Sequence, residues 1–75
     1  MPYIAVKAYP KDEETKRKVA EEINAVFLKY WGCPPQAISL SMEAVDPSAW
    51  EQEIQQKEIL PNRAKMMILN GEKQY

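Results

Sequence analysis

Apolar and polar residues alternate in two short stretches of this chain and recur at helical spacing between them. Ile4, Val6 and Ala8 alternate with Tyr3, Ala5, Lys7 and Tyr9, which predicts a first strand ended by Pro10. Asp12 then stands where a helix N-cap is expected, followed by Glu13 and Glu14, which suit the positive end of a helix dipole. Val19, Ile23, Val26, Phe27 and Tyr30 recur at three- and four-residue steps and predict an amphipathic helix from about Glu13 to Trp31. Glu13 with Arg17, and Glu14 with Lys18, give two helix pairs four residues apart with the acid first. Gly32 and Pro34-Pro35 stop that helix.

Ile38, Leu40, Met42 and Ala44 alternate with Ser39, Ser41 and Glu43, a second strand. Two strands joined through a long helix imply a right-handed β-α-β unit with parallel strands. Asp46-Pro47 reads as a helix start, with Ser48 and Glu51 as an alternative capping box. A short helix from about Pro47 to Lys57 follows, and Pro61 should break or kink it. A last helical segment is expected over Asn62–Leu69, ending near Asn70-Gly71. The expected class is α+β, one domain over residues 1–75. Two strands and one long helix cannot close a core alone, so a second copy is expected to extend the sheet.

Composition narrows the functional classes. The 75 residues are 45% hydrophobic and 28% charged, the balance of a soluble globular chain with a thin core. The net charge is −1 and both signs are interspersed, so no basic stripe offers itself to nucleic acid. No apolar run reaches the roughly 20 residues needed to cross a membrane, and the N-terminus lacks the features of a signal peptide. A single cysteine, Cys33, suits a reducing cytoplasm, and with no histidine it argues against a zinc site. No spaced carboxylates suggest magnesium or calcium.

The absence of histidine removes the usual base for neutral pH and moves attention to Pro2. If Met1 is removed, the Pro2 nitrogen becomes a secondary amine fixed at the head of a strand. Desolvation would lower its pKa toward neutrality and make it a general base. With Met1 retained, the nitrogen is an amide and has no such use. Cys33 lacks a basic neighbour and reads as a packing residue. Tyr3, Tyr9, Tyr30 and Trp31 read as packing or interface residues.

The order Met1-Pro2, a short strand, a polar turn with Lys11, a helix, a second strand and then Trp50 resembles the tautomerase superfamily, typified by 4-oxalocrotonate tautomerase. The resemblance covers most of residues 2–50. Asp46-Pro47-Ser48-Ala49-Trp50, the Glu58-Ile59 to Pro61 stretch and Asn70-Gly71 look closer to the small dimeric bacterial tautomerases, which act on enols of 2-oxo acids such as phenylpyruvate. It implies a cofactor-independent keto–enol isomerase with Pro2 as the base. Lys11 falls in the turn that carries a substrate-binding arginine in the archetype, if one residue is deleted before it. Lysine offers a carboxylate a point charge without the two-pronged guanidinium. Trp50 matches the archetype's pocket phenylalanine. Ser39 stands where the archetype has a second arginine, which turns the expected substrate from a dicarboxylate toward a monoacid. Arg63 is a possible replacement cation. The archetype's C-terminal hairpin is expected to be replaced by helix over Trp50–Leu69, which favours a homodimer over a hexamer. Two other readings stay open: water addition by the same proline with Glu51 activating the water, and a dimeric interaction module that kept the fold without the chemistry.

Overall fold

The computed structural model describes all residues from Met1 to Tyr75. The chain divides into two compact units, Met1–Val45 and Asp46–Tyr75.

The first unit is the β-α-β motif. Strand β1 (Tyr3–Ala8) and strand β2 (Ser39–Ala44) pair in parallel, in the register Tyr3 with Ser39 through Ala8 with Ala44. Helix α1 (Glu13–Tyr30) connects them. Asp12 caps α1: its carboxylate accepts from the Thr15 backbone N–H at 3.0 Å and from the Thr15 hydroxyl at 2.7 Å. Trp31 closes the other end, its N–H donating to the Phe27 carbonyl at 3.0 Å. Gly32 then takes φ +73°, a left-handed conformation that glycine enters without penalty. A single 3-10 turn, Pro35–Ala37, leads into β2.

Strand alternation puts Ile4, Val6, Leu40 and Met42, all half-buried, on one face of this sheet. Lys16, Ala20, Ile23 and Phe27 form the half-buried stripe of α1. In this unit only Val45 is buried, at 9% exposure. Its N–H donates to the Ala8 carbonyl at 2.8 Å and prolongs the strand ladder. Meanwhile Val26 is 50% exposed, and Tyr30 and Trp31 are exposed as well. The apolar arc of α1 is thus wider than two strands can cover.

The second unit is one helical path followed by a hairpin. Asp46 caps helix α2 (Pro47–Trp50) by accepting from the Ser48 N–H at 2.9 Å and the Ser48 hydroxyl at 2.7 Å. The path continues as π-helical turns over Glu51–Ile59 and 3-10 turns over Leu60–Lys65. Ile54, at 6% exposure, is its buried residue. The expected end near Lys57 is therefore too early. Pro61 has no N–H, and in an α-helix its ring would strike the Lys57 carbonyl. The chain meets this by widening, with the Leu60 N–H donating to Gln55 five residues back, and then by bending at Asn62. Asn62 holds the bend, its side-chain amide donating to the Glu58 carbonyl at 2.8 Å.

The helix expected over Asn62–Leu69 is corrected. Met66 is already extended, and strands β3 (Ile68–Leu69) and β4 (Glu72–Lys73) pair antiparallel. Asn70 and Gly71 have φ of 51° and 79°, the pair of positive values that a two-residue type I′ turn requires. The C-terminal hairpin expected to be missing is present, so its supposed loss no longer favours a dimer over a hexamer. No helix is long and apolar enough to cross a membrane.

Candidate active site

Two of the expected site residues meet at the head of the parallel sheet. The Ser39 N–H donates to the Pro2 carbonyl at 3.2 Å, the first rung of the ladder between the strands. Pro2 is half-buried, and Met1 before it is 96% exposed. Here the Pro2 nitrogen is the amide of the Met1-Pro2 bond. Removal of Met1 would turn it into an amine anchored through its own carbonyl. Ser39 pairs with Tyr3, and paired residues of a parallel sheet share a face. That face is opposite the one bearing Ile4, Val6, Leu40 and Met42, and Ser39 is exposed on it.

Lys11 is not at this end. It follows β1, whose six residues span roughly 17 Å at the strand rise per residue. Pro2 and Lys11 of one chain therefore lie at opposite ends of the strand, too far apart to hold one small 2-oxo acid. The Asp12 carboxylate beside Lys11 is held below the ordinary aspartate range, first by the Thr15 hydroxyl, then by the Thr15 backbone N–H, with Lys11 itself a smaller cause. The turn thus keeps an ionised cap next to the lysine.

Trp50 belongs to the second unit and is half-buried at the last residue of α2. Glu51, the candidate for water activation, is exposed, and its carboxylate accepts from the Gln56 amide at 2.8 Å. Arg63 is also exposed and reaches the Leu60 carbonyl at 3.4 Å, a weak contact. Cys33 is a half-buried free thiol.

One charged residue was not singled out from the sequence. Lys16 lies on the half-buried stripe of α1, and its side chain is 35% exposed against 76% for Arg17. The signal was available: Lys16, Ala20, Ile23 and Phe27 are spaced four, three and four apart, so a lysine holds the first place of an apolar row.

A scan against protein-family profiles finds no match. Whole-chain comparison does find relatives. The chain is 33% identical over 64 residues to Tautomerase PptA of Pectobacterium carotovorum, covering 83% of this chain and 84% of the relative. It is 34% identical over 64 residues to Tautomerase PptA of Pectobacterium atrosepticum, with the same coverage. Against Tautomerase PptA of Klebsiella pneumoniae it is 29% identical over 73 residues, 95% of this chain and 96% of that protein. With the parallel β-α-β unit and Pro2 at its head, these matches establish that the chain belongs to the tautomerase superfamily.

Proposed function

We propose that this protein is a cofactor-independent keto–enol tautomerase acting on a 2-oxo acid, with Pro2 as general base once Met1 is removed. The observation that carries the reading is the position of Pro2, half-buried and tied by its carbonyl to the Ser39 N–H. Relatives named as tautomerases across more than four fifths of the chain support it.

In this reading the Pro2 amine takes the proton of the substrate's enol hydroxyl and returns a proton to the adjacent carbon. The carbon–carbon double bond becomes the ketone carbonyl, and the amine ends as it began. No redox partner or external group is needed. Ser39 lines the site as a neutral donor. Lys11 attracts the carboxylate from a second copy, since β1 separates it from the Pro2 of its own chain. The uncovered arc of α1, with Val26, Tyr30 and Trp31 exposed, supports a homo-oligomer, and we favour a dimer. A lone cysteine suits the cytoplasm.

The test is conversion of phenylpyruvate enol, followed by absorbance, using protein shown by mass to begin at Pro2. Positioned proton transfer contributes roughly 10²- to 10⁴-fold, so Pro2→Ala should lose most of the rate, and protein retaining Met1 should be inactive. Equal rates for all three would overturn the reading. Inactivity of the processed protein on this and on a dienol diacid would point instead to an interaction module.

A further inference from the structure

The C-terminal hairpin carries a chemistry that the proposed activity does not use. Its turn is Asn70-Gly71, both exposed, with φ of 51° and 79°. Its strands are two residues each: Leu69 pairs with Glu72, and Ile68 with Lys73. Beyond them one further rung closes it, the Gln74 N–H donating to the Met67 carbonyl at 2.8 Å. Met67 and Ile68 are 65% and 60% exposed, so little packing backs these rungs. A two-stranded hairpin is marginal by itself, and opening such a segment costs far less than global unfolding.

In an asparagine–glycine pair the side-chain amide can react with its own backbone. The Gly71 nitrogen adds to the Asn70 side-chain carbonyl carbon. That C–N bond forms, the bond to the side-chain nitrogen breaks, and this nitrogen departs as ammonia with the Gly71 amide proton. Water then opens the five-membered imide at either carbonyl. One product is aspartate. In the other, isoaspartate, the main chain runs through the former side chain. Nothing is oxidised or reduced. Glycine matters because no side chain crowds the attacking nitrogen, and even a Cβ built at Gly71 meets nothing within 4 Å. The other asparagines are less free. Asn24 lies inside α1 before Ala25. Asn62 precedes Arg63, and its side-chain amide is engaged with the Glu58 carbonyl at 2.8 Å.

The closed turn opposes this reaction. A left-handed residue has ψ of about +47°, which points the following nitrogen away from Cβ, whereas the imide ring needs the two eclipsed. We propose that Asn70-Gly71 is a self-modifying site metered by the opening of β3 from β4, and that its isoaspartate product keeps the strands apart. The two products differ in consequence. Aspartate–glycine is itself a type I′ pair, so the aspartate product recloses. Isoaspartate adds a methylene to the backbone of a two-residue turn, and the register of Leu69 with Glu72 no longer fits it. Either product adds a negative charge to the net charge of −1. The inference is independent of Pro2 and of Met1 removal.

The experiment is incubation of the intact chain in mildly alkaline buffer, folded and in urea. Acidic species are counted by ion exchange and located by peptide mass, and isoaspartate is told from aspartate by its resistance to a protease that cuts before aspartate. In urea, Asn70 should be the first asparagine converted. The folded chain should convert roughly ten- to a hundredfold more slowly, the closure that about two net hydrogen bonds supply. Gly32→Ala, which loosens the first unit, should leave that rate unchanged, because the hairpin belongs to the other unit. Asn70→Gly keeps a type I′ pair and should yield no acidic species at this turn. By hydrogen exchange, the Gln74 amide should stay protected in Asn70→Asp and lose its protection in the isolated isoaspartate form. Equal rates in folded and urea-unfolded chain would overturn the inference. So would earlier conversion of Asn24 or Asn62, acceleration by Gly32→Ala, or a protected Gln74 amide in the isoaspartate form.

Discussion

Replacing Gly32 by alanine isolates the backbone reversal that returns the chain from α1 toward β2, and so toward the Ser39–Pro2 contact. Gly32 has φ +73° directly after the helix cap at Trp31. A Cβ built there meets nothing within 4 Å, so no clash contributes and the whole cost lies in the backbone. A left-handed conformation costs an L-residue roughly 1–2 kcal/mol. Alanine also narrows the unfolded ensemble, which returns about 0.4–1 kcal/mol. The net expectation is a loss of about 1 kcal/mol. At a urea dependence of about 1 kcal/mol per molar for a small chain, the unfolding midpoint should fall by roughly 1 M. Far-UV circular dichroism across a urea series measures this directly. Gly32→Asn is the internal control, because asparagine tolerates the left-handed region and should fall between parent and alanine. An alanine midpoint at or above the parent's would refute the reasoning, as would asparagine falling below alanine.

Two further outcomes follow from the caps and from the uncovered helix. Asp12 and Asp46 are both held below the ordinary aspartate value of 3.8 by hydrogen bonds from Thr15 and Ser48, so their stabilisation is complete above that value and fades as pH falls through the lowered one. Thermal unfolding from pH 5 to pH 2 should show the loss below about 3.8, and Asp12→Ala should flatten part of it. Sedimentation at micromolar concentration should give a homo-oligomer, since Val26, Tyr30 and Trp31 are otherwise exposed, and a monomer would refute that assembly.

What could be read from the sequence is what repeats within a window. Alternation through Ile4, Val6 and Ala8, and through Leu40, Met42 and Ala44, spans two periods of a strand. The stripe from Val19 to Tyr30 spans three turns of a helix. These signals held, and the boundaries of α1 moved by only one residue. Asn70-Gly71 was a different case. An asparagine–glycine pair is both a helix stop and a type I′ turn, and the strands flanking it are two residues each, too short for any alternation to decide between them. Pro61 was visible as a disturbance, but the widening that accommodates it depends on carbonyl positions one turn earlier.

The site shows the same division more sharply. Pro2 and Lys11 are nine positions apart in the sequence, and the family resemblance names both as partners in one reaction. A strand runs between them and carries them apart, so closeness along the chain becomes distance in space. Ser39 is 37 positions from Pro2 and yet bonds to it, because parallel pairing brings both strands to the same end of the sheet. Lys16 lay hidden for the opposite reason. Its charge drew it into the helix's run of ion pairs, whereas its spacing placed it on the apolar stripe. Where charge and period disagree, the fold follows the period: Lys16 lies on the half-buried stripe, with its ammonium 3.6 Å from Glu13. A charged residue on an apolar row is therefore read more safely by its spacing than by its charge.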